Sequence, residues 1–148
     1  MALANMTQEQ TNNKNRETCK RIALDLEAYT DGNVYRCPEW NETITLPDDV
    51  GDKYRCPHCT AVHDIDDLEQ LSIWDYLDDA LDFRFVVSSR KEIIAVKILV
   101  AFGGPNIWID TESRSVELYW WTDRASYPLS RDAIDALEEW AEEYWGCM

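Results

Sequence analysis

The residues best suited to chemistry in this chain are thiols and imidazoles, and they are bunched. There are five cysteines and two histidines. Cys37, Cys56, Cys59, His58 and His63 all fall between residues 34 and 66, and three of the thiols sit in two similar phrases. Tyr-Arg-Cys-Pro-Glu-Trp runs from 35 to 40 and Tyr-Arg-Cys-Pro-His-Cys from 54 to 59, so Cys37 and Cys56 stand 19 residues apart. Thiolate and imidazole are soft and borderline donors, the types that bind zinc. A disulfide is the other chemistry open to a pair of thiols, and a reducing compartment disfavours it.

The repeated turn resembles the paired CPxC knuckles of a zinc ribbon, including the Tyr-Arg before each turn and the β-prone spacer between them. In that family each knuckle offers two thiolates and the pair completes a tetrahedral site. This sequence departs from the pattern at Trp40, which stands where the second ligand belongs and cannot bind a metal. The glycine that follows each turn in the family is also replaced, by Asn41 and Thr60. The resemblance therefore implies three thiolates, Cys37, Cys56 and Cys59, with a fourth ligand from His63, Cys19 or Cys147. It leaves two expectations open: one structural zinc, or a ribbon that has lost its metal and is held by packing of Trp40, Tyr35 and Tyr54.

Other catalytic constellations are missing from the sequence. Gly103-Gly104-Pro105 lacks the Lys-Ser/Thr of a phosphate loop, and there is no HExxH or nucleophile elbow. Carboxylate pairs such as Asp78 with Asp79 lie among like charges on polar stretches, unlike the single raised carboxylate of an acid/base site. The expectation is a protein without catalytic activity.

The remaining signal is charge. The chain carries 29 acidic against 14 basic side chains, a formal −15. Such a balance argues against direct contact with nucleic acid or anionic lipid, which call for Lys and Arg. Residues 64 to 82 hold eight acids and no base, and residues 132 to 148 hold six and none. Read as helices, they place Asp75, Asp78, Asp79 and Asp82 on one face, and Asp135, Glu138, Glu139 and Glu142 on another. In size, charge and acidic helices the chain resembles the DNA-mimic inhibitors of phages and plasmids, of anti-restriction and anti-CRISPR type, though no motif is shared. The likeness implies that the carboxylate faces occupy the basic surface of a nucleic-acid-handling defence protein. The alternative is a ribbon-bearing interaction module that grips its partner through an apolar anchor such as Trp120 or Trp40.

The elements that must position these groups follow from periodicity. Residues 1 to 33 read as a polar tail over the first dozen and a short amphipathic helix from Arg16 to Tyr29. Residues 34 to 66 form the ribbon-like module. Residues 67 to 148 read as a helix from Ser72 to about Leu81, four strands (Phe83 to Ser88, Glu92 to Phe102, Asn106 to Thr111, Ser115 to Trp121) and a helix from Arg131 to about Trp145. The expected class is α+β: a small zinc-ribbon-like module, then a four-stranded antiparallel meander packed with two acidic helices. No apolar run is long enough to span a bilayer, and the N-terminal stretch has no signal-peptide character, so the expected compartment is the cytoplasm.

Overall fold

The computed structural model describes residues 7–147 and is mixed α and β, with three helices and three antiparallel sheets. In chain order the elements are α1 (Gln8–Thr30), β1 (Val34–Arg36), β2 (Thr43–Thr45), β3 (Lys53–Arg55), β4 (Val62–Asp64), a 3-10 turn (Ile65–Asp67) and β5 (Glu69–Gln70). They continue with α2 (Ile73–Leu77), β6 (Asp82–Val87), β7 (Ile93–Ala101), β8 (Asn106–Asp110), β9 (Ser115–Trp120), β10 (Asp123–Pro128) and α3 (Arg131–Gly146). Among the described residues no helix is long and apolar enough to cross a membrane.

The larger core lies between one face of the sheet β10-β9-β8-β7-β6 and the helices. Alternation along β7, β8 and β9 turns Val96, Ile98, Ile107, Ile109, Val116 and Leu118 to that side. They meet Cys19, Ala23 and Leu26 of α1, Leu77 of α2, and Ile134, Leu137, Trp140 and Ala141 of α3. The alternate positions carry a polar ladder. Arg84, Lys97, Asp110 and Ser115 are in register across four strands, Lys97 pairs with Asp110 at 3.7 Å, and Arg84 lies 5.0 Å over the Trp108 ring.

Three elements differ from the periodicity reading. The first is α1, which starts eight residues earlier than the expected Arg16. Thr7 and Gln10 close a reciprocal capping box: the Gln10 N–H donates to Thr7 Oγ1 at 3.1 Å and the Thr7 N–H to Gln10 Oε1 at 2.9 Å. Polar composition had masked a Thr-x-x-Gln start signal, and the rest of the expected tail, residues 1–6, lies outside the described residues.

The second is α2, which lasts five residues rather than running to Leu81. Ser72 and Asp75 do cap it as expected, but Leu81 N–H bonds the Leu99 carbonyl at 2.8 Å and draws the chain into β6. Asp78 and Asp79 therefore lie just past the helix and Asp82 opens a strand, so the expected four-carboxylate helical face does not form. Asp75 is engaged as the cap, its Oδ2 accepting the Ser72 N–H at 2.7 Å, and Asp82 pairs with Arg84 at 3.4 Å.

The third is the sheet, which has five strands where four were expected. The missed strand is β10, joined to β9 by the two residues Trp121 and Thr122, with Trp120 and Asp123 paired. Trp121 takes φ 55° in that turn, a conformation usually left to Gly or Asn, so no turn residue advertised the hairpin.

Tyr76 of α2 has a phenol pushed above its usual range, first by burial and then by the nearby Asp25 and Tyr29. A raised folded-state pKa means that the unfolded chain loses its proton first. Stability is thus full below pH ~10 and falls as the pH climbs toward the folded value. Tyr76→Phe should make the alkaline fall in unfolding free energy shallower, measured by urea titration between pH 8 and 11. An unchanged slope would show that Tyr76 stays hydrated.

Candidate metal centre

The cysteine-bearing segment folds as a pair of duplicate turns. β1 and β2 flank the first and β3 and β4 the second. In the first, the Cys37 N–H bonds the Glu42 carbonyl at 3.0 Å and the Asn41 N–H bonds the Cys37 carbonyl at 2.7 Å. In the second, the Cys56 N–H bonds the Ala61 carbonyl at 3.0 Å and the Thr60 N–H bonds the Cys56 carbonyl at 2.9 Å. Asn41 and Thr60 both take φ 60°. They hold the left-handed position at which a ribbon knuckle places glycine, as the alignment of the two phrases suggested. The arginine of each Tyr-Arg-Cys phrase has a matching job: Arg36 donates to the Asn41 carbonyl at 3.4 Å and Arg55 to the Thr60 carbonyl at 2.7 Å. Each thus secures the carbonyl of the strained residue five positions on.

The two turns face each other. Cys37 Sγ lies 3.6 Å from Cys59 Sγ, and His63 Nε2 lies 3.8 Å from Cys37 Sγ and 3.5 Å from Cys59 Sγ. These three side chains could hold one metal ion between them. Cys56 is fully buried beside them, sharing thiol hydrogen bonds with Cys37 and Cys59. Backbone donors converge on the sulfurs as well. Trp40 N–H points to Cys37 Sγ at 3.4 Å, the N–H groups of Cys59 and His58 point to Cys56, and that of Ala61 points to Cys59.

The spacing can be compared with a real coordination sphere. Zinc bonds of about 2.3 Å to sulfur and 2.0 to 2.1 Å to nitrogen, set tetrahedrally, separate two sulfurs by roughly 3.8 Å and a sulfur and a nitrogen by roughly 3.5 Å. The observed 3.5 to 3.8 Å separations fit those edges. The crowding also has an electrostatic cost. Burial pushes the Cys59 thiol up to about 11, and the neighbouring Cys37 and Cys56 add to the rise. The Cys56 thiol lies below its ordinary value because the Cys59 N–H, and then that of His58, donate to it. Sulfurs this close cannot all ionise without a cation among them.

Of the fourth-ligand candidates, the structure brings His63 into the cluster. Cys19 is buried under the larger sheet with its thiol pushed up to about 11 by burial, and Cys147 is exposed beyond α3. Trp40, at the displaced ligand position, stacks on His58 of the opposite knuckle with ring centroids 3.6 Å apart and planes at 15°. The stack joins the two turns, a contact that the sequence did not disclose.

The proposed partner-binding residues are dispersed. Asp135, Glu139 and Glu142 are exposed along α3, with Glu138 half-exposed beside them. Asp78 and Asp79 are exposed after α2. Trp120 is 36% exposed, whereas its neighbour Trp121, at the hairpin tip, is 89% exposed. No family model, curated protein or solved structure matches this chain.

The left-handed Thr60 offers a direct check on the knuckle geometry. A β-branched residue at φ 60° is strained, and Asn tolerates that region far better. Thr60→Gly should raise the stability of this segment by about 1 kcal/mol, and Asn41→Gly should change it by clearly less. Hydrogen exchange of residues 34 to 66 in low denaturant would show the difference; equal effects at the two sites would contradict it.

Proposed function

We propose that this chain is a non-catalytic protein-binding module whose knuckle segment is clasped by one structural zinc ion. Cys37, Cys56, Cys59 and His63 are its ligands. The observation that carries the reading is the 3.5 to 3.8 Å packing of two sulfurs and a ring nitrogen from opposite turns. Three thiolates and an imidazole suit zinc among the common ions. A set of four protein ligands fills a tetrahedral sphere and leaves no open position for substrate, as structural sites do. When bound, the ion would neutralise the crowded thiolates and tie the two knuckles together. Retention of free thiols as ligands favours a reducing compartment for the protein.

The need for a clasp is physical. The cluster packed around this segment has three buried members, Ile44, Leu46 and, just beyond it, Leu68, assisted by Tyr35, Val50, Tyr54 and Ile65. So small a core is seldom enough for a rigid segment, and metals supply the difference in many small scaffolds.

A second reading, mimicry of nucleic acid, is favoured by α3 alone. Asp132, Asp135, Glu139, Glu142 and Glu143 are exposed on a 16-residue helix with no basic residue after Arg131. Its other support, a helical stripe over residues 75 to 82, is not formed.

Treatment with a strong chelator should remove one zinc per chain. It should also abolish hydrogen-exchange protection across residues 34 to 66 while β6 to β10 keep theirs. Full protection of residues 34 to 66 in zinc-free protein would overturn the clasp. In the same preparations, partners captured from lysate should survive a high-salt wash if the module reading holds. Release by salt or by added DNA would move the assignment to mimicry through α3.

A further inference from the structure

Between α1 and the β9–β10 hairpin lies a cavity of about 500 Å³, walled by Asn12, Asn13 and Arg16 of the helix and by Tyr119, Arg124 and Ser126 of the strands. Gln8 ties the two walls, its Nε2 donating to Asp123 Oδ1 at 2.7 Å and to Asn12 Oδ1 at 3.0 Å. Every side chain in the lining set has an N–H or O–H to offer. Asn12 uses its oxygen on Gln8, so its amide nitrogen is the free end.

The arginines are the unusual feature in a chain of net charge −15. The four ion pairs among the described residues involve Arg36, Lys53, Arg84 and Lys97, so Arg16 and Arg124, both exposed, have none there. Each lies over a ring instead, Arg16 5.7 Å from the Tyr127 centroid and Arg124 5.0 Å from that of Tyr119. A ring positions a guanidinium without occupying all of its N–H groups. The carboxylate in the same lining, Glu117, is already engaged: it accepts the Tyr119 hydroxyl at 2.6 Å and the Ser115 hydroxyl at 3.4 Å. Acids elsewhere on the surface act weakly here, because physiological salt screens exposed charges beyond about 8 Å. The local balance is in fact basic: residues 10 to 24, which include the helical wall, hold four bases and one acid.

Two guanidiniums with amide and hydroxyl donors beside them call for an oxyanion. A carboxylate offers two oxygens and one charge. A phosphate monoester offers three acceptor oxygens and a charge of about −2, which matches two arginines. The cavity falls in the size range of small-molecule sites, roughly 300 to 1,000 Å³, and so has room for an organic body behind the phosphate.

We infer that the cleft between α1 and the β9–β10 hairpin binds a small phosphorylated molecule, with Arg16 and Arg124 holding its phosphate. This site goes beyond the protein-binding reading above. It involves no residue of the knuckle segment, so chelation does not decide it.

The test uses the whole, zinc-loaded chain and follows its backbone amide signals by two-dimensional NMR. Phenyl phosphate, inorganic phosphate and succinate are titrated separately, with sodium chloride at equal ionic strength as the control. Phenyl phosphate should shift the signals of residues 12 to 16 and 119 to 126 saturably and bind more tightly than the other two. Arg16→Gln and Arg124→Gln should each weaken it roughly tenfold while signals elsewhere stay in place, which shows that the fold is kept. Arg90→Gln, in the turn between β6 and β7, should leave the affinity as it was. Shifts no larger than those of sodium chloride, or an affinity that either cleft variant retains, would overturn the site. Succinate binding as tightly as phenyl phosphate would overturn the choice of phosphate, and inorganic phosphate doing so would overturn the organic body.

Discussion

Two buried sulfurs, a half-buried third and an imidazole are held close together in a segment that has little else to fold around, and that crowding governs this part of the molecule. Left as protonated thiols, they are poor hydrogen-bonding groups in a tight space; as thiolates they repel one another. The backbone is arranged for the charged form. N–H groups of Trp40, His58, Cys59 and Ala61 all point at sulfur. The same arrangement forces Asn41 and Thr60 into left-handed geometry, a strain that persists only because the surrounding turn over-determines it. Arg36 and Arg55 complete that constraint by securing the carbonyls of the two strained residues. The proposed zinc is the one component that would relieve the repulsion and tie both turns at once.

The larger core has a different basis. It is an amphipathic sheet with three helices on one face, held by ordinary apolar burial and needing no ion. The two parts meet through short backbone ties. β5 pairs with β1, the Leu71 N–H bonds the Val34 carbonyl at 2.9 Å, and Gln70 Nε2 donates to the Gly32 carbonyl at 2.7 Å. Gly32 suits that point because its φ of 76° lies in the left-handed region that favours glycine, and a Cβ there would also push aside the Gln70 amide, 2.7 Å away. At the surface, the knuckle segment presents Trp40 stacked on His58, and α3 presents the exposed carboxylates Asp135, Glu139 and Glu142.

Legibility in the sequence followed the range of the interactions. The CPxW and CPHC phrases and the spacing of His63 from Cys59 pointed to the metal cluster because knuckle geometry is local and repeats. α3 was readable from its 3.6-residue period and Ser130 cap, and β7 to β9 from β-branched runs of apolar residues. What stayed hidden depended on partners distant in sequence. α2 ended early because Leu81 pairs with Leu99, and β10 formed because a turn without glycine let Asp123 pair with Trp120. The stack of Trp40 on His58 and the meeting of Trp74 with Trp140 join residues that no periodicity connects. The acidic stripe failed for the same reason, since its helical face required a helix that tertiary pairing cut short.

A closed zinc sphere of three sulfurs and one nitrogen is open to X-ray absorption at the zinc edge on the purified chain. The expected spectrum has a first shell of three sulfur scatterers near 2.3 Å and one imidazole nitrogen near 2.0 to 2.1 Å, with roughly one zinc per chain. A shell dominated by oxygen or nitrogen, or a folded chain carrying no zinc, would contradict it.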